Sequence, residues 1–147
     1  MLVSDDPTTD AARRAALRAA GLRVTATRTA VLGAVAPGSH VGAEDVYERV
    51  RSILPGTSRQ SVHNALGDFV AAGLLRRIEP AGHPRRYEVR VDDNHHHLVC
   101  SRCGRIDDVD CVVGHAPCLT PDDALGYRVD VAEVIFWGEC ADCAARP

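Results

Sequence analysis

His95, His96, His97, Cys100 and Cys103 fall within nine consecutive positions of a 147-residue chain. Imidazoles and thiolates are the side chains that bind borderline and soft transition metals best, so this is the segment of the sequence most ready for metal. Side chains alternate sides along an extended strand, which puts His95 and His97 on one face and His96 on the other. Only alternate histidines can then share one ion, and the one stretch is suited to two metals.

The cysteines extend the pattern. Cys100-x2-Cys103 is answered, after 36 intervening residues, by Cys140-x2-Cys143. Each pair brings two thiolates toward one point, half of a tetrahedral set, and two pairs make a closed structural Zn(II) site with no open position for chemistry. The chain shows neither a signal peptide at Met1-Leu2-Val3-Ser4 nor an apolar run of the ~18 to 20 residues a membrane span needs. A cytoplasmic location is expected, and in a reducing compartment six cysteines hold metal more readily than they form disulfides.

Charge divides the chain. Residues 1–91 carry 13 arginines against nine acidic residues, net +4, and residues 92–147 carry four against eleven, net −7. There is no lysine. A basic first half suits a polyanion and an acidic half rich in Cys and His suits cations, which places a domain boundary near Val91 to Asn94.

The elements that must position these residues follow from local signals. A helix over Asp10 to Ala20 ends at Gly21, and Thr25 fits the N-cap of a second helix running to about Ala36. A third covers about Ala43 to Leu54. Ser58 or Thr57 caps a fourth through about Ala72, with Val62, Leu66, Phe69 and Val70 on its buried face. Strand-like runs from Leu74 to Glu79 and from Arg85 to Val91 flank a Pro-Gly turn. Helices followed by a basic hairpin read as a winged helix. The second half reads as strands over His97–Cys100, Arg105–Val109 and Tyr127–Trp137, with 111–126 as loop. The fold class expected is α+β, a winged-helix DNA-binding domain at 1–91 followed by a small α/β domain at 92–147 with a four-cysteine zinc site.

On the polar face of the fourth helix, Arg59, Gln60 and Asn64 are of the types that pair with purine edges, and Ser58 and Ser61 suit phosphates. Arg76, Arg77, Arg85 and Arg86 would line the wing beside a duplex backbone, with Arg23 and Arg28 as further phosphate contacts. The partner expected is double-stranded DNA.

These residues together resemble a known family. Leu22-Arg23-Val24-Thr25, the run from Ser58 to Leu66, Arg86-Tyr87-Glu88, and His95-His96-His97-Leu98-Val99-Cys100-x2-Cys103-Gly104 are similar to the ferric uptake regulator (Fur) family over nearly the whole chain. The 107–111 and 116–119 segments resemble its peroxide-responsive, catalase-linked branch. The resemblance implies a metal-dependent, peroxide-sensing repressor that binds operator DNA as a homodimer, with 92–147 as its dimerisation domain, and releases it on oxidation of the metal site. It also implies a regulatory metal, Fe(II) or in its place Mn(II), Ni(II) or Zn(II), held by His40, Glu88, His95, His97 and Asp108. An aspartate at 108 is similar to the peroxide repressors, and His40 and His95 match the histidines oxidised there, with peroxide as the only small-molecule substrate.

The sequence departs from the family at four positions. His63 stands where a tyrosine is usual on the recognition helix, and Ala26 where proline often follows the threonine. Asn94 and Ala132 occupy positions of histidine ligands in a second sensory site, leaving His96 and His115 to rebuild a weaker one. Cys111 and Cys118 lie outside the zinc set and read as small apolar side chains or spare thiols. The competing readings are an iron, zinc or nickel uptake regulator of the same family and, in another class, a zinc hydrolase or nuclease using His95, His96 and His97. An enzyme needs an open zinc position and a general base. A closed four-cysteine set argues against that, so no enzymatic activity is expected.

Overall fold

A computed structural model describes residues 8–146, which divide into two compact units between Val91 and Asp92. The fold is α+β, with helices in the first unit and the larger sheet in the second.

The first unit contains α1 (Asp10–Ala19), α2 (Ala26–Ala34), α3 (Ala43–Ile53) and α4 (Arg59–Ala71), then β1 (Arg76–Ile78) and β2 (Arg86–Glu88). Local chemistry starts and stops the helices. Thr9, Thr25 and Ser58 each accept a backbone N–H three residues on, satisfying one of the donors a helix start leaves over. Gly21 and Gly73 adopt φ of +71° and +72° just past α1 and α4, a conformation in which a Cβ would be strained. The carbonyls of Leu17 and Phe69 accept from Leu22 and Leu74 as the chain turns away. The helices bury Leu17, Val31, Val46, Val50, Val62, Leu66 and Phe69 as one apolar core.

The hairpin β1–β2 is antiparallel, Arg77 facing Tyr87. Its strands are shorter than the runs 74–79 and 85–91 predict, because pairing covers only the three residues on each side that face one another. A single extra bridge joins Val41 to Tyr87, each accepting the other's N–H at 3.1 and 2.9 Å. This bridge fixes the segment before α3 against the wing.

The second unit is a three-stranded sheet in the order β4-β3-β5, from β3 (His95–Cys100), β4 (Ile106–Asp110) and β5 (Ile135–Gly138), closed by the short helix α5 (Ala141–Ala144). β3 runs antiparallel to β4 and parallel to β5. It starts two residues earlier than expected, so all three histidines lie in it. The strand expected from Tyr127 forms only from Ile135. Pairing places His97 opposite Ile135, so β3, which begins at His95, offers no partner to residues earlier than about Glu133. Residues 111–126 contain no helix or strand, as expected. No helix among the described residues is long and apolar enough to cross a membrane.

Candidate metal centres and nucleic-acid interface

The Val41–Tyr87 bridge has a chemical consequence. In an antiparallel pair the residues flanking a bridge also face each other, so His40 lies opposite Glu88, and its Nε2 stands 3.1 Å from the Glu88 carboxylate. Both side chains are buried. The first unit therefore presents one imidazole and one carboxylate together, from residues 48 positions apart.

In the second unit the alternation of β3 aims His95 and His97 at the same point, with Nε2 atoms 3.2 Å apart. β4 pairs Asp108 opposite His97, and its Oδ1 lies 3.7 Å from His95 Nε2 and 3.5 Å from His97 Nε2. Two imidazoles and one carboxylate so gathered are a mixed nitrogen and oxygen donor set that suits a divalent first-row ion. Both imidazoles are essentially buried, at 1 % and 0 % exposure. Asp93, unforeseen from the sequence, meets His95 Nδ1 at 2.7 Å. A carboxylate at Nδ1 favours the tautomer in which Nε2 is the acceptor, the usual support behind a metal-binding histidine. Its signal was the spacing, since Asp93, His95 and His97 share one parity.

The four cysteines converge, with the Sγ atoms of Cys100, Cys103, Cys140 and Cys143 all within 4.8 Å of one another. The first pair spans the end of β3 and the turn that follows, closed by Gly104 N–H donating to Cys100 O at 2.8 Å. The second pair opens α5, with Cys140 at its N-cap. Arg102 ties the two together, donating to the Glu139 carboxylate and to the carbonyls of Cys143 and Arg146. The backbone amides of Cys140 and Cys103 draw the Cys100 thiol down to about 6, so it ionises readily. Hydrogen bonding with the thiols of Cys140 and Cys103 pushes Cys143 up to about 12. Four crowded sulfurs resist ionising together until a cation neutralises them, which is the chemistry of a tetrahedral thiolate site.

His96 points to the other face of β3. Among the described residues the donors gathered with it are Cys111 and Cys118, not His115, whose Nδ1 lies 3.2 Å from the Val113 carbonyl. The pairing of His96 with His115 is thus replaced by a pairing with two thiols. Burial raises the Cys111 thiol, but the amides of Gly114 and Val113 and the Cys118 side chain outweigh it, and the group lies below the ordinary thiol value.

On α4, Arg59, Gln60, His63 and Asn64 are exposed on the face away from the core, and Arg23 is exposed before α2. Their present partners are local. Arg59 pairs with Glu44 at 2.7 Å and lies 4.3 Å over the Tyr47 ring, holding the Glu44 carboxyl below its usual range. Gln60 donates to Asn64 at 2.8 Å, the Ser58 and Ser61 hydroxyls are 2.9 Å apart, and Arg28 pairs with Asp68. On the wing, Arg77 and Arg85 share Glu79, and Arg76 lies 3.9 Å from Glu88. The Arg59, Arg77 and Arg85 pairs are exposed and therefore weak, whereas the Glu88 carboxylate beside Arg76 is buried.

Residues 19–112 match the family model described as Ferric uptake regulator family. The chain is also 55 % identical over 128 residues to the transcriptional regulator FurA of Mycobacterium tuberculosis, covering 87 % of each. This chain belongs to the ferric uptake regulator family. It is a metal-responsive transcriptional regulator of that family and not an enzyme, which removes the hydrolase and nuclease reading. The peroxide-responsive repressor PerR of Staphylococcus epidermidis is more distant, 27 % identical over 135 residues, 88 % of this chain and 86 % of that one. The fold matches the ferric uptake regulator of Helicobacter pylori with a TM-score of 0.69, at 19 % identity over 92 % of this chain and 94 % of that one.

Proposed function

We propose that this chain is a homodimeric repressor that binds operator DNA when Fe(II) occupies a site formed by His40, Glu88, His95, His97 and Asp108. The same mixed nitrogen and oxygen donors also suit Mn(II), Ni(II) or Zn(II). The observation that carries the reading is the His95–His97–Asp108 set with Asp93 behind it, a donor triad built for a divalent ion of this kind. A second ion, Zn(II) held by Cys100, Cys103, Cys140 and Cys143, keeps the sheet of the second unit together. The ion bound by all five regulatory ligands fixes the winged helices of the dimer at the spacing of successive major-groove half-sites. Arg59, Gln60, His63 and Asn64 then face base edges, while Arg23, Arg28, Ser58, Ser61, Arg76 and Arg77 meet phosphates.

The 55 % identity to FurA, against 27 % to a peroxide-responsive repressor, supports the iron-responsive reading over peroxide sensing. Peroxide release stays as the second reading because the carboxylate of the triad is Asp108, the residue type of the peroxide branch. In that reading iron supplies peroxide activation and His40 or His95 is oxidised.

Operator duplexes selected by the metal-loaded chain, titrated with each of the four metals with and without peroxide, test both. Tightening by roughly 5- to 150-fold with Fe(II), unaffected by peroxide, is the expected result. Loss of binding with one oxygen added to the His40 or His95 peptide would establish peroxide sensing instead. Binding indifferent to every metal would overturn both readings.

A further inference from the structure

β3 carries donors on both faces, and those behind the regulatory ligands are of a different chemical kind. His96 is 7 % exposed, and Cys118 Sγ lies 3.2 Å from its Nε2. Cys111 completes a group in which all three donor atoms lie within 4.8 Å of one another. The chain is shaped to deliver them. Cys111 follows the last residue of β4, whose Val109 faces His96, and Asn94 donates to the carbonyl of His115 at 2.7 Å, drawing the loop back against the start of β3. The His96 ring is further held edge-on to Phe136 of β5 at 6.3 Å.

We propose that His96, Cys111 and Cys118 form a further metal site, for a thiophilic d10 cation, Zn(II) or Cu(I). Two thiolates and one imidazole are a soft set, poorly matched to Fe(II) or Mn(II) and well matched to these ions. Zn(II) would keep one position for water, and Cu(I) would be satisfied by three donors. Binding displaces the two thiol protons to solvent and ties residues 111–118 to the strand whose other face holds His95 and His97. An ion here therefore stiffens the support of the regulatory site without sharing a ligand with it.

The test uses the full chain, reduced, stripped of metal and reloaded anaerobically with Co(II), Zn(II) or Cu(I). Wild type, His115→Ala, Cys118→Ser and Cys111→Ser/Cys118→Ser are compared by metal content and by sulfur-to-cobalt charge-transfer absorption, which reads thiolate ligands alone. Wild type and His115→Ala should engage six thiolates, and the double variant four, with one fewer ion per chain. Far-ultraviolet circular dichroism establishes that each variant is folded, and Cys118→Ser, a change in a loop, reads the same loss if the double variant is not. Stronger retention of Zn(II) or of Cu(I) through desalting identifies the ion. Equal metal content and equal charge-transfer intensity in folded wild type and Cys118→Ser would overturn the proposal. So would a Cys111–Cys118 disulfide that persists in place of metal under reducing conditions.

Discussion

The first unit hides Leu17, Val31, Val46, Val50, Val62, Leu66 and Phe69 almost completely, whereas the residues buried in the second, among those described, are His95, His96, His97, Val99 and Cys100. Large apolar side chains of the second unit stand in water instead, Leu98, Val112, Tyr127, Phe136 and Trp137 among them, while in the first only Ile53 among the described residues does so. The contrast teaches that the two units are stable for different reasons. The winged helix rests on apolar burial. A unit of roughly 55 residues is near the size at which burial alone is marginal, and metals or a second copy of the chain take over.

The widest test of this contrast removes the four-cysteine ion. Structural thiolate sites supply about 10 to 16 kcal/mol of apparent binding energy. Cys140→Ser, or a strong chelator, should unfold the second unit, removing the amide hydrogen-exchange protection of β3 to β5 while the helical ellipticity of the first unit remains. Simultaneous loss of both signals would erase the distinction between the units. The reciprocal change, Phe69→Ala, should cost about 3 to 5 kcal/mol by opening a cavity in the apolar core. It should lower the helical melting temperature and leave the zinc content of the chain unchanged.

Two smaller effects sharpen the description of the first unit. Asn64→Ala should cost about 1 to 3 kcal/mol of discrimination at one operator position, read by competition between operator variants. Thr25→Ala should cost about 1 kcal/mol of stability through loss of its bond from the Arg28 amide, with no change in metal binding. A cost several times larger would mean that Thr25 supports more than the start of α2.

What was legible in the sequence was local or periodic. Thr25, Ser58 and Gly21 marked helix ends because capping depends on residues three or four apart, and the two-residue period of a strand placed His95 and His97 on one face. The Cys-x2-Cys spacing announced the sulfur cluster for the same reason. Features that rest on distant pairs left no such trace. A lone bridge between Val41 and Tyr87 has no period, although it is what sets His40 beside Glu88. Cys118 reaches His96 across 22 positions of irregular loop, so His115 looked the better partner. The alternation from Tyr127 to Val134 was real but had no strand to pair with, and the engagement of Arg59 with Glu44 and Tyr47 joins two helices.

The central claim is that an ion held by His95, His97 and Asp108 in one unit governs DNA binding by the other. It is tested most directly by operator anisotropy titrations of wild type and His95→Ala, with and without anaerobic Fe(II), zinc content being measured on the same samples. Wild type should bind at least about 5-fold more tightly with Fe(II), while His95→Ala keeps its zinc and shows no response to iron. An iron response in His95→Ala equal to that of wild type would contradict the account.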